Sequence, residues 1–139
     1  MVISMRVLFV CRANGGRSPM AEAFFNRLSK RNRASSAGVD VAAEGKSGMP
    51  ANPKNVAVMG QAGYDISGHR RRQLTRAMSG KADVIVFMAS RSKLPASLKG
   101  SKKVRLWRIP NPRNKNMAAR RRIRNKINTK VEALIGEMG

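Results

Sequence analysis

Apolar positions along the chain alternate between strand-like runs and helical spacing. Residues 6–10 (RVLFV) read as a short buried strand, apolar and rich in β-branched side chains. The turn CRANGGR (11–17) follows, and then Ala21, Phe24, Phe25 and Leu28 recur at i, i+3, i+4 and i+7, one apolar helix face. Ser18 is expected as the N-cap with Pro19 at the first helical position, since proline needs no N–H there. Glu22 is expected in the first turn, where it suits the helix dipole. "ASSAGVDVA" (34–42) reads as a second strand with its turn, and "GMPANP" (48–53) as a loop. "NPKNVAVMGQAGY" (52–64) holds a short helix ending near Gly60 or Gly63. "DVIVFM" (83–88) and "KVRLW" (103–107) supply a third and a fourth strand, and "RIPNPRNKN" (108–116) a Pro-broken loop. A last helix from about Met117 carries Ile123, Ile127, Val131, Leu134 and Ile135 on one stripe, with the basic residues mostly elsewhere. Strands alternating with helices predict a doubly wound α/β fold with a parallel sheet. With no internal repeat and no linker, residues 1–139 read as a single domain.

Composition narrows the function classes. No apolar run approaches the roughly 20 residues of a membrane span, and the N-terminus has no signal-peptide pattern. The single cysteine cannot form an internal disulfide, so a reducing cytoplasm is expected. One His and one Cys are too few for a structural zinc site, and no metal is expected. The charge is the anomaly: 29 Lys and Arg face only 7 Asp and Glu, a net +22. Such a chain attracts polyanions in a salt-dependent way. Basic clusters stand at 30–33 (KRNR), 70–72 (RRR), 102–103 (KK) and 120–124 (RRRIR), while aromatics are only 4%. Few stacking platforms therefore exist, and the clusters are expected to be solvated faces that bind polyanions without sequence preference.

The turn after the first strand carries the chemistry. A strand, a short Gly-containing loop and a helix start make an anion site, because successive N–H groups converge and the helix end adds positive charge. Cys11 opens the loop and Arg17 closes it, a C-x5-R spacing with Ser18 next. The five residues between them, Arg12, Ala13, Asn14, Gly15 and Gly16, suffice to wrap one tetrahedral oxyanion. A thiolate would then sit beneath the phosphorus while Arg17 offers parallel N–H donors to its oxygens. Ser18 could donate a hydrogen bond to that thiolate. A lone cysteine at a strand end is often a core residue; the Arg, Ser, glycines and helix start beside Cys11 favour the anion site.

"VLFVCRANGGRSPMAEAFF" (7–25) resembles the signature of the low-molecular-weight protein tyrosine phosphatase family, which also includes arsenate reductases. The likeness continues in "SAG" (36–38), "NPKNVAVMGQAGYDISGHRRRQLT" (52–75), "ADVIVFM" (82–88) and "WRIPNP" (107–112), in the family's order over nearly the whole chain. The resemblance implies a four-stranded parallel sheet flanked by helices and a cysteinyl-phosphate mechanism acting on a phosphotyrosine-type substrate, without cofactor or metal. By position, it makes Cys11 the nucleophile and Arg17 the phosphate clamp. It also assigns Asn14, Ser18, Ser36 and His69 to the polar network that shapes the loop, which favours loop support over a general-base role for His69.

The chain departs from the family pattern where that pattern has its general acid. The family's Asp-Pro pair after the fourth strand reads Asn111-Pro112 here, and "MASRS" (88–92) lacks a second acid that many members carry. An amide cannot protonate a departing phenolate, so turnover of aryl phosphates is expected to be weak. Arg, Lys or Asn stands at many positions where relatives tend to have acids, which reads as a positively supercharged, engineered member of the family. Two alternatives accompany the phosphatase reading. One is single-thiol arsenate reduction with a small thiol resolving the intermediate; the other is a polycationic scaffold that binds polyanions.

Overall fold

The computed structural model describes residues 4–139 and has an α/β architecture. Strand β1 (Arg6–Cys11) leads into helix α1 (Arg17–Leu28) and strand β2 (Arg33–Gly38). Helices α2 (Pro53–Gly60) and α3 (Arg76–Lys81) precede β3 (Val84–Phe87), β4 (Val104–Leu106) and the long α4 (Met117–Met138). The four strands are all parallel in the order β2-β1-β3-β4, which is the expected doubly wound sheet. Chain order reverses beside β1, so the C-terminal ends of β1 and β3 open the crevice where such sheets bind ligands.

Strand β1 is apolar and buried from Val7 to Cys11 because both of its faces are covered there. Val7, Phe9 and Cys11 pack with α1 and α4, while Leu8 and Val10 join Ile85, Phe87 and Leu98 on the other side. In the first layer, Phe9 contacts Phe25 edge-on at 5.9 Å between ring centroids and Trp107 at 5.7 Å. The α4 stripe buries Ile123, Ile127, Val131 and Leu134 against this layer, with Ile135 partly buried beside them.

Several local expectations change. Helix α1 starts at Arg17 with Gly16 as its N-cap, so Ser18 is not the cap and Pro19 is the third helical residue. Proline is tolerated there because N–H groups of the first turn have no intrahelical partner. Glu22 lies beyond the first turn and accepts from Ser36 Oγ instead of serving the dipole. Leu28 ends the helix largely exposed, off the buried face. The short α3 was not expected; Thr75 caps it through a bond to the Met78 N–H.

Phe25→Ala should lower unfolding free energy by about 3–5 kcal/mol, because Phe25 is fully buried in the ring cluster. Leu28→Ala should shift it by less than about 0.5 kcal/mol. Equal losses in urea unfolding would contradict this division of the α1 face.

Candidate active site

The turn between β1 and α1 is held from all sides. Asn14 adopts a left-handed backbone (φ 52°), which asparagine tolerates better than most residues, and its side chain is buried. Its Nδ2 donates to Ser18 Oγ at 2.8 Å and to Ser36 Oγ at 3.0 Å. Its Oδ1 accepts from the Arg72 N–H at 3.0 Å and from His69 Nε2 at 3.0 Å. His69 Nε2 also lies 3.1 Å from the Asn14 carbonyl oxygen. A carbonyl can only accept, so Nε2 carries the ring proton. Ser36 Oγ in turn donates a hydrogen bond to Glu22 Oε1 at 2.6 Å.

Cys11 is 2% exposed, and its Sγ lies 2.9 Å from Ser18 Oγ. Because Ser18 already accepts from Asn14, its hydroxyl proton is free to point at the sulfur; the other acceptor, Ala37 O, is farther at 3.4 Å. Arg17 is also buried. Its Nη1 donates to Met88 O at 2.7 Å and Ile109 O at 3.2 Å, tying the loop to the ends of β3 and β4. One terminal nitrogen is thus committed to the scaffold, and Nε and Nη2 remain for a ligand. Burial draws the Arg17 pKa below its ordinary value, and the charge of Cys11 opposes that shift.

Cys11, Arg12, Ala13, Gly15, Gly16 and Arg17 line a cavity of about 130 Å³, and Asn111 and Pro112 close it from the loop after β4. Asn111, which the family pattern puts at the general-acid position, thus lines the same cavity as Cys11. Its Oδ1 accepts from the Arg113 N–H at 3.0 Å, which sets the local turn. The glycines are dictated by space: a Cβ on Gly16 would stand 2.5 Å from Asn55 Nδ2. Helix α1 has no side-chain cap, whereas Asn52, Thr75 and Asn116 cap α2, α3 and α4. Its first N–H groups are left for the loop to direct at an anion. Among the described residues no cluster of three metal-ligating side chains exists, and no helix is long and apolar enough to cross a membrane.

Other groups in the site escaped sequence reasoning. Asn55 Nδ2 donates to Gly15 O at 3.0 Å, and Asn55 Oδ1 accepts from Arg120 Nη1 at 2.5 Å. Both residues lie on buried helical stripes, Asn55 with Val58 and Met59 and Arg120 with Ile123 and Ile127. A polar residue in register with an apolar stripe was the available signal. Arg71 had none, yet it is buried and packs over Gly15. The clusters at 70–72 and 120–124 are therefore not wholly solvated faces, since each turns one arginine inward. Arg12, also in the cavity lining, pairs with Asp40 at 3.3 Å and Glu44 at 3.1 Å. Lys93 pairs with Asp40 as well and, chiefly through its hydrogen bond, holds the Asp40 carboxyl below the usual range.

Residues 6–139 match the family model described as "Low molecular weight phosphotyrosine protein phosphatase". The chain is 41% identical over 87 residues to the "Probable low molecular weight protein-tyrosine-phosphatase EpsP" of Ralstonia solanacearum, covering 63% of this chain and 57% of that one. The chain thus spans little more than half the length of that relative; for EpsP of Ralstonia nicotianae the share is 54%. Among solved structures it resembles a low molecular weight protein tyrosine phosphatase from T. tengcongensis (28% identity, TM-score 0.84, covering 96% of this chain and 99% of that one). It also resembles an arsenate reductase in the phosphate binding state (25% identity, TM-score 0.83, covering 97% and 99%).

Burial holds the His69 pKa below the ordinary histidine value, with the Glu22 charge and the bond to Asn14 opposing. The unfolded chain takes up this proton near pH 6.5 and the folded chain only at lower pH. The stability contributed by neutral His69 is therefore present above about pH 6.5 and lost as pH falls through the folded value. Urea unfolding free energy should decline from about pH 7 to 5, and His69→Gln should remove part of that slope. Identical slopes would contradict a neutral His69 that donates a hydrogen bond through Nε2.

Proposed function

The chain belongs to the low molecular weight phosphotyrosine protein phosphatase family, and on that premise we propose that it hydrolyses phosphomonoesters through a phosphocysteine intermediate. The observation that carries this reading is Cys11 Sγ, 2.9 Å from the Ser18 hydroxyl, in a cavity it shares with Arg17 and Asn111. The Cys11 thiolate attacks phosphorus from below while the Arg17 guanidinium and the N–H groups of residues 12–17 bind the equatorial oxygens as their charge grows. The P–O bond to the leaving group breaks and its electron pair departs with that oxygen. Water then attacks the phosphocysteine, phosphate leaves, and the thiolate is restored. Ser18 stabilises the thiolate in both half-reactions. Asn14, Ser36 and His69 hold the loop and take no proton from the substrate.

Asn111 supplies a hydrogen bond and no proton, so a leaving phenolate, whose conjugate acid has a pKa near 10, departs unassisted. The acid-poor surface agrees with a positively redesigned member of the family, and binding of polyanions to it would weaken steeply with salt. The lone Cys11 and the likeness to an arsenate reductase favour one second reading, reduction of arsenate. In that case an external small thiol would resolve the arsenylated cysteine, and arsenate-dependent thiol consumption would reveal it. A reducing cytoplasm suits either chemistry, since both need Cys11 as a free thiol.

Turnover of p-nitrophenyl phosphate is expected for the unaltered chain and lost in Cys11→Ser. Asn111→Asp should raise kcat on phenyl phosphate by about 10²-fold or more. A Cys11→Ser rate equal to the parent's would exclude the mechanism, and no gain in Asn111→Asp would exclude the assignment of the missing acid.

A further inference from the structure

The wall of the cavity beyond the loop is cationic and lacks any aromatic side chain among its described lining residues. Arg71 dominates it. Arg71 is 9% exposed, its Nε is fixed to Pro50 O at 2.9 Å, and it lines the cavity. Among the described residues neither of its terminal nitrogens has a hydrogen-bond partner, and neither is among the buried unpaired atoms, so both reach cavity space. They lie over Gly15: a Cβ there would stand 2.7 Å from Nη2 and 2.9 Å from Nη1. Glycine at this loop position is what admits the guanidinium. Arg120, 3% exposed, lines the same cavity, and Lys46 and Arg113 stand at its edge. The one carboxylate in the lining, Glu44, is engaged by Arg12 and Lys46.

A guanidinium fixed at Nε, with both terminal nitrogens open to a cavity beside a phosphate-binding loop, is placed to hold a second anion through two parallel N–H donors. Asn111 adds an independent constraint, for the leaving group must depart without a proton. A phosphate leaving group meets both demands. Its second ionisation lies near pH 7, about three units below the tyrosine phenol, and it carries the charge that the wall lacks.

We propose that the substrates this site handles best are phosphoanhydrides, in which the transferred phosphoryl group is joined to a second phosphate held by Arg71. The proposal rests on Cys11 as nucleophile. The Cys11 sulfur forms a bond to the phosphorus in the loop as the bridging P–O bond breaks. The electron pair leaves with the second phosphate, whose charge Arg71 and Arg120 receive. Water then cleaves the phosphocysteine, its proton passes to buffer, and the sum is one anhydride and one water giving two phosphates.

Phosphate release from inorganic pyrophosphate, phenyl phosphate and p-nitrophenyl phosphate, measured in EDTA, tests this. Pyrophosphate should exceed phenyl phosphate in kcat/KM by about tenfold or more, and Cys11→Ser should abolish all three reactions. Arg71→Gln should cost pyrophosphate about tenfold more than it costs p-nitrophenyl phosphate, with partial recovery in Arg71→Lys. Should Arg71→Gln fail to fold, Arg113→Gln at the exposed rim makes the same comparison, with about a threefold selective loss expected. Pyrophosphate turnover no better than phenyl phosphate, or equal losses on both substrates, overturns the anhydride assignment while Cys11-dependent p-nitrophenyl phosphate hydrolysis leaves the phosphatase reading standing. Absence of any Cys11-dependent hydrolysis removes both.

Discussion

One buried amide organises the site. Asn14 uses its full capacity, with two N–H donors to Ser18 and Ser36 and two oxygen lone pairs toward Arg72 N–H and His69. A buried polar group left half-satisfied would cost more than it contributes, so four bonds from three different segments admit essentially one loop shape. That shape sets where the Ser18 hydroxyl can point, and hence the surroundings of Cys11 Sγ. The left-handed backbone at Asn14 is held by the same four bonds, because the strain has no other outlet while the amide stays paired.

The three buried arginines that reach the site are placed by two opposite strategies. Arg17 begins α1, and its reach to Met88 O and Ile109 O joins the loop to the C-terminal edge of β3 and the segment after β4. Its position follows from the loop itself. Arg71 and Arg120 arrive from segments distant in sequence; Arg71 fills the space that Gly15 leaves open, and Arg120 reaches the loop through Asn55. Both belong to runs of basic residues whose other members face water or the surface. A run of like charges therefore hides two roles, since a neighbour one position along a helix or extended chain points in a different direction.

Much of the molecule was legible from pattern alone. The apolar runs at β1 and β3 and the α4 stripe are explained by burial on both faces or on one, and they settle a parallel α/β sheet with little dependence on detail. Less was legible where a cap or a helix end decided the outcome. Ser18 looked like an N-cap because serine usually is one, yet the helix began at Arg17 and left that hydroxyl for the sulfur. Local preference lost to the geometry of a loop that must present its N–H groups inward. Leu28 failed in a similar way, since periodicity continues past the point where the partner surface ends.

The sequence by itself determined the strand-loop-helix unit, the C-x5-R spacing and the identity of the residues that could bind an oxyanion. These are local, because spacing along the chain limits what a seven-residue loop can enclose. It also held Asn111 at the position where an acid was expected, since that identity needs no fold to be read. Only the tertiary structure decided that Asn111 shares a cavity with Cys11, that His69 Nε2 donates its hydrogen bond to Asn14, and that Arg71 and Arg120 face that cavity. The physical reason is that each of these depends on contacts between segments some 40 to 100 residues apart. Hydrogen-bond direction and burial at such contacts are set by how the layers pack, and no local pattern carries that information.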